Sequence, residues 1–312
     1  MHSLLLAPMT ISLLAQPVSE TTLDHVIAPD LSDAKTEILA LEAEAHNRFT
    51  IPVTVDGTGP FDFVIDTGSQ ATVVTDFVNQ HVTLAPAGRA TIVGTASRRV
   101  VDTVEVEELT LGSRKIYDLE APVLQKVHVG ADGIIGLDSL QDTRVLIDFR
   151  DETIAVADGD DRGSKRGFEI VVRAREKLGQ LLVTNALVDG VKATVIIDTG
   201  AQGSLANNAL RTKLRERNAQ DIRTTDVNGV SMMGRLSFAR EVTMQGITIT
   251  NVPITYADTP AFEALGLHDT PTLAVGMDHL KMFDRVAIDF SRRRIMFDLP
   301  GQRRKSRFRG EM

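Results

Sequence analysis

Two tetrapeptides, Asp66-Thr67-Gly68-Ser69 and Asp198-Thr199-Gly200-Ala201, lie 132 positions apart, each at the end of an apolar run. Their surroundings repeat as well, so the search for internal repeats precedes any local reading. Glu37-Ile38-Leu39 opens the first copy, Val55-Asp56-Gly57 turns, and Phe63-Val64-Ile65 leads into Asp66. Glu169-Ile170-Val171, Val188-Asp189-Gly190 and Val195-Ile196-Ile197 keep that order before Asp198. Further on, Ile134-Ile135-Gly136-Leu137-Asp138 and Ile147-Asp148-Phe149 match Ala274-Val275-Gly276-Met277-Asp278 and Ile288-Asp289-Phe290. A chain written twice in this way is constrained to fold into two similar halves.

The boundary between the halves follows from composition. Residues 158–167 are charged and glycine-bearing, without apolar periodicity, and read as an exposed connector. The expected organisation is a leader (1–33), a first lobe (34–157), the connector (158–167), a second lobe (168–300) and a basic tail (301–312). Each lobe is large enough for a core of its own.

Within a copy, short β-branched runs such as Thr50-Ile51-Pro52-Val53-Thr54-Val55 are bounded by turn residues, which predicts an all-β chain with short helices. Asp56-Gly57 and Asp189-Gly190 suit tight hairpin reversals that need positive φ. Pro52 removes one ladder donor and predicts an edge or a bulge in its strand. One helix per copy is expected, the better example over residues 207–217, where Leu210 and Leu214 stand four apart.

A net charge of −8 favours solubility and argues against nucleic acid as a partner. With no cysteine, disulfides, thiolate catalysis and Cys-type zinc sites are excluded. The apolar residues 4–15 have the length of a signal-peptide core and are too short to span a bilayer, although no Lys or Arg precedes them. Export, to the periplasm, is the expectation; a cytoplasmic protein follows if this segment is not a signal.

An aspartate at the tip of a buried strand, present twice, suits a specific chemistry. Two carboxylates within about 3 Å of one another cannot both ionise, so they share a proton and hold a water between an acid and a base. The ionised member takes a proton from the attacking water, and the protonated member donates to the carbonyl oxygen. Neither metal nor cofactor is required. Gly68 and Gly200 let the two turns approach without a Cβ between them, and the Thr67 and Thr199 hydroxyls can bond across to the opposite loop.

These residues resemble the retropepsin-like aspartic proteases, in particular their bacterial aspartyl-protease branch in tandem form. The resemblance spans residues 36–299 and rests on the apolar-Asp-Thr-Gly-Ser/Ala motif and the later hydrophobic-hydrophobic-Gly segment, each present twice. It implies two β-barrel lobes related by a pseudo-two-fold axis in one chain, working as a monomer. Asp66 and Asp198 become the catalytic pair, Thr67, Gly68, Ser69, Thr199, Gly200 and Ala201 their supporting loops, and a polypeptide the substrate. Ile134-Ile135-Gly136 and Ala274-Val275-Gly276 then pass through the loop of a ψ-shaped structure and brace the catalytic turns. Pepsin-like relatives carry a flap tyrosine, but Tyr117 and Tyr256 fall late in each copy. The flaps are therefore placed near Gly94 and Thr95 in the first copy and near Gly229 in the second. An extended substrate would add as a strand against them, alternate side chains filling pockets.

The copies differ after the glycine. A hydroxyl of Ser69 donating to Asp66, with nothing comparable at Ala201, would make Asp66 the more readily ionised member. The repeated Asp138, Asp278, Asp148 and Asp289 suit helix starts and strand ends, and the histidines, His279 among them, have no metal-ligand spacing. Arg292-Arg293-Arg294 stands close to Asp289, and the tail Arg303-Arg304-Lys305 could touch anionic membrane weakly. A single Asp-Thr-Gly is commonly a plain strand-end turn; two in matched contexts favour catalysis. The competing reading is a catalytically silent relative that binds peptide on the same scaffold.

Overall fold

The computed structural model describes residues 37–40, 42–43, 49–158, 168, 170–215 and 219–300. The expected leader, basic tail and nearly all of the connector lie outside the described residues. Among the described residues, those in strands far outnumber those in helices, and they form two eight-stranded sheets plus one six-stranded sheet.

The two larger sheets match element for element. In the first lobe the spatial order is Glu42–Ala43, Phe49–Val55, Thr58–Ile65, Gly133–Ile135, Val73–Thr75, Arg114–Leu124, Arg98–Leu111 and Ala85–Val93. In the second it is Arg175–Lys177, Gln180–Val188, Val191–Ile197, Thr272–Val275, Ser204–Ala206, Ile247–Tyr256, Ser231–Met244 and Gln220–Thr225. Each sheet folds back through one extra pairing, Phe49–Val55 with Arg98–Leu111 and Gln180–Val188 with Ser231–Met244. Among the described residues that pairing closes a ring of six strands in each lobe, and the two end strands of each sheet lie outside the ring.

The Asp-Gly reversals adopt the backbone their residues favour. Asp56 and Gly57 have φ of 45° and 74°, and Asp189 and Gly190 have 47° and 80°. Two successive left-handed residues are what a tight hairpin between twisted strands requires. Each of these aspartates also accepts a neighbouring strand's amide, Asp56 from Glu108 at 2.8 Å and Asp189 from Glu241 at 2.9 Å. Pro52 is exposed and paired only towards Asp62; on its other side residues 49–50 and 53–55 pair with different strands, and a register shift follows at Val53.

Among the described residues each lobe carries three short helices where one was expected: Asp76–Val82, Lys126–Val129 and Leu137–Leu140, then Asn208–Arg211, Pro260–Ala264 and Met277–Leu280. The helix expected over residues 207–217 closes at Arg211. Asn207 caps it by accepting from the Leu210 amide, and beyond Arg211 the Lys213 and Leu214 amides turn to carbonyls three residues back. That tighter winding rarely propagates. A spacing-four pair of leucines does not require a longer helix, because Leu210 alone is fully buried.

Side chains alternate across the central strands. Phe63, Ile65 and Ile135, with Val195, Ile197, Leu273 and Val275, enter one core that runs through both lobes. Val64, Val73 and Ile134 form a separate apolar cluster on the other face in the first lobe, and Leu182, Ile196 and Ala274 do so in the second. Full burial of each such aliphatic side chain is worth about 1.5–3 kcal/mol, which fixes strand register because a one-residue slip would exchange the two faces.

The six-stranded sheet joins the halves, in the order Glu37–Ala40, Thr153–Asp158, Thr143–Asp148, Arg285–Asp289, Arg294–Asp298 and Ile170–Arg173. Its middle is the antiparallel pairing of Thr143–Asp148 with Arg285–Asp289, Leu146 opposite Ala287. Asp289 is fully buried there and accepts from Arg294, Ser291 and the Arg292 amide, with Arg144 of the other half 3.3 Å away. Asp158, the expected first residue of the connector, still pairs with Thr143 as a strand end. No helix among the described residues is long and apolar enough to cross a membrane.

Candidate active site

Each signature aspartate leaves the end of a central strand. Thr58–Ile65 runs parallel to Gly133–Ile135, and Val191–Ile197 parallel to Thr272–Val275. That pairing continues one step into the turn, where the Asp66 amide donates to Ile135 O and the Asp198 amide to Val275 O, both at 3.0 Å. Both aspartates are half-buried. Oδ1 of Asp66 accepts from the Gly68 and Ser69 amides at 2.7 and 3.0 Å, and Oδ1 of Asp198 accepts from the Gly200 and Ala201 amides at 3.0 Å. One oxygen of each carboxylate is thus held by its own turn.

The turns are locked to each other by the threonines. Thr67 Oγ1 donates to Ile197 O, and Thr199 Oγ1 donates to Ile65 O, both at 2.7 Å. In return Thr199 Oγ1 accepts from the Thr67 amide at 3.0 Å, and Thr67 Oγ1 from the Thr199 amide at 3.2 Å. Both threonines are buried, so these reciprocal bonds fix the two turns against one another without competition from water.

The glycines decide how close the turns come. A Cβ built on Gly68 would stand 2.7 Å from Oδ1 of Asp198 and 2.9 Å from its Oδ2; one built on Gly200 would overlap the whole carboxyl group of Asp66. Each carboxylate therefore rests on the other half's glycine. Positions 66 and 198, distant in the sequence, face one another.

The hydrophobic-hydrophobic-Gly segments brace this arrangement from behind. The Leu137 and Asp138 amides donate to Ser69 O and Gln70 O, and the Met277 and Asp278 amides to Ala201 O and Gln202 O. Gly136 and Gly276 permit it, since a side chain at either would run into the backbone of Ala71 or Gly203. The polar groups beneath differ between halves. Thr72 bonds Asp138 and Ser139, each at 2.6 Å, whereas Ser204 meets Nδ1 of His279 at 2.7 Å. Burial pushes the His279 pKa down, against the opposing charge of Asp278.

The hydrogen bond expected from Ser69 to Asp66 is not formed. The Ser69 hydroxyl donates its one proton to Ala71 O at 2.8 Å and so cannot donate to Asp66. Each aspartate receives two backbone amides from its own turn.

Gly94 and Thr95 lie at the tip of the hairpin formed by Ala85–Val93 and Arg98–Leu111; Gly229 lies at the tip formed by Gln220–Thr225 and Ser231–Met244. The two tips touch, with Gly94 against Asp226 and Asn228. Two contributors were not foreseen. Asp226 joins the tips, and Gln180, buried at the start of its strand, donates from Nε2 to Gly68 O at 2.9 Å across the lobe boundary. Asp226-Val227-Asn228-Gly229 does carry a turn signature, but nothing in Gln180-Leu181-Leu182 distinguishes its glutamine from a surface residue. Among the described residues, no group of three or more His, Asp or Glu side chains is arranged to hold a metal.

Compared with curated proteins, the chain has no significant match. A family model described as aspartyl protease matches twice, over residues 51–139 and 184–279, which together make up more than half of the chain. The two matched regions each contain one signature aspartate, its turn and the segment that braces it. On the strength of that double match and the paired turns, the chain belongs to the retropepsin-like aspartyl proteases, in a tandem, two-lobed form.

Proposed function

We propose that the protein is an aspartic endopeptidase that hydrolyses peptide bonds of extended polypeptide segments, with a water held between Asp66 and Asp198. The observation that carries this reading is the reciprocal seating of each carboxylate on the opposite glycine. Two carboxylates brought together across these glycines favour a state with one shared proton. The ionised carboxylate then acts as general base on the water while its protonated neighbour donates to the scissile carbonyl oxygen. The amides of the two turns keep Oδ1 of each aspartate oriented. Because the pair is coupled, the acid and base roles belong to the dyad and not to one residue.

Substrate binds by strand addition in this reading, against the hairpins whose tips carry Gly94, Thr95 and Gly229. One chain supplies both halves, a monomer with an internal pseudo-dimer. The test is a mixed peptide library incubated between pH 4 and 8 with the protein and with its Asp66→Asn and Asp198→Asn variants. Cleavage by the parent and loss in both variants, with unchanged thermal stability, is the expected result. An uncut library, together with no affinity for a statine-type peptide, would favour a silent binding relative.

A further inference from the structure

The hairpin tips are bridged by one carboxylate. Asp226 is 6% exposed and divides its two oxygens between the halves of the molecule. Oδ1 accepts from the Asn228 and Val230 amides at 3.0 Å, which shapes its own tip. Oδ2 accepts from the Ser97 hydroxyl at 2.7 Å and the Ala96 amide at 3.1 Å, both in the first lobe's tip. Nδ2 of Asn228 adds a bond to Ser97 Oγ at 3.0 Å. Gly94 makes room, since a Cβ there would overlap the Asp226 carboxylate. The first lobe has no equivalent carboxylate at its tip, where Gly94-Thr95-Ala96-Ser97 offers only small and hydroxyl side chains. From the first hairpin Arg99 adds only a long bond, Nη1 to Asn228 O at 3.5 Å.

Apolar contact follows the polar bridge. Val227, the next residue, packs against the first lobe's cluster of Val64, Val73, Leu124, Val129, Ala131 and Ile134, as do Ile92 and Val101 of the first hairpin. Val64 and Ile134 are immediate neighbours in sequence of Ile65 and Ile135, which carry the Asp66 turn. The second hairpin thus packs on an apolar cluster that includes the strands leading to the Asp66 turn. The same closed arrangement buries Oδ1 of Asn228 without a hydrogen-bond partner, a cost that opening would relieve.

We propose that Asp226 is a positioning residue: a latch that ties the two hairpins together in the free protein, so that a polypeptide reaches the Asp66–Asp198 pair only when the Asp226–Ser97–Ala96 bonds break and Val227 withdraws. This rests on the endopeptidase reading for its consequence, not for its structure. Asp226→Asn is the discriminating change. Its remaining carbonyl oxygen can still accept from Asn228 and Val230, but its amide group cannot accept from Ala96 or Ser97.

The first measurement needs no activity. Hydrogen exchange followed by mass spectrometry should show the 94–97 tip, which is not in the mutated hairpin, exchanging about tenfold faster or more in Asp226→Asn. The chain has no cysteine, so spin labels at Val100→Cys and Met233→Cys, on exposed sites of the two hairpins, report the tip separation directly. Their distance distribution should broaden and lengthen in the variant. The second measurement is the association rate of a statine-type peptide, which should rise about threefold or more, because a conformational step before binding lowers that rate. Ser97→Ala removes the two cross-tip bonds of its hydroxyl, to Asp226 and from Asn228, but keeps the Ala96 amide bond, and should shift all three readouts in the same direction.

Unchanged exchange at 94–97 and an unchanged label distance would overturn the latch, whatever the protein cleaves. Faster exchange with an unchanged association rate would overturn its role in substrate admission. Failure of the statine peptide to bind the parent protein would sink the endopeptidase reading and the admission role, and leave the latch to be judged by exchange and distance alone.

Discussion

Replacing Thr199 with Val keeps nearly the shape of the side chain and removes its hydroxyl. That hydroxyl donates to Ile65 O at 2.7 Å and accepts from the Thr67 amide at 3.0 Å, and Thr67 and Thr199 are each 3% exposed. A net hydrogen bond contributes about 0.5–1.5 kcal/mol, and a buried partner left unsatisfied costs about 1–3 kcal/mol. Two partners are stranded, so the expected loss is roughly 2–4 kcal/mol, without a cavity. Urea unfolding at neutral pH measures it: the midpoint should fall while the slope, which follows exposed area, stays constant. Thr67→Val is the mirror experiment, breaking bonds of 2.7 and 3.2 Å, and should cost the same within about 1 kcal/mol. In both variants turnover should drop under conditions where the protein remains folded, since the turns lose their mutual alignment. A cost below about 0.5 kcal/mol in either variant would refute the reasoning, as would a large cost in only one.

Gly200→Ala places a methyl group inside the Asp66 carboxyl group, so peptide cleavage should fall about a hundredfold or more, measured on folded protein by peptidase assay. Asp289→Asn leaves Arg144, Arg292 and Arg294 beside an uncharged buried group and should cost about 3–5 kcal/mol by urea unfolding at neutral pH. Burial alone would raise the Asp289 pKa, but its bonds from Arg294, the Arg292 amide and Ser291, with the Arg144 charge, hold it below the usual carboxylate value. Its contribution is therefore complete above the unfolded-state pKa and disappears as pH falls through the lower folded value, so the gap between parent and Asp289→Asn should close in acid. Burial of His279 likewise lowers its pKa; the stability it contributes is present above about pH 6.5, where the unfolded histidine is neutral, and declines as pH falls towards the folded value. His279→Gln should flatten the melting temperature between pH 7 and 5, and an unchanged slope would remove His279 from the account.

The repeat was legible because the close approach of two turns restricts side chains severely. Asp-Thr-Gly and the braced glycines Gly136 and Gly276 occupy places where a methyl group meets backbone or carboxylate, and such constraints are visible as residue types in order. The Asp-Gly reversals were legible for a similar reason, since both residues take positive φ. What escaped reading depends on the third dimension. The Ser69 proton goes to Ala71 O because of how its turn is oriented, which composition does not encode. The four-residue helices are too short to show a period, and Asn208–Arg211 is held by an Asn207 cap and by Leu210 rather than by length. Gln180 and Asp226 act across the lobe boundary on groups about 110 to 130 positions away, and neither residue type announces such a partner.

The strand pair at the centre of the joining sheet has a consequence for how such a chain can come apart. Its members read Arg144-Val145-Leu146-Ile147-Asp148 and Arg285-Val286-Ala287-Ile288-Asp289, and they run antiparallel with Arg144 opposite Asp289 and Asp148 opposite Arg285. Such a pentapeptide is self-complementary: laid against its own copy in the same register, it sets arginine across from aspartate at both ends. Cut within residues 159–167, each fragment would keep the edge, the aliphatic interior and the terminal charges needed to recruit either its former other half or a duplicate of itself.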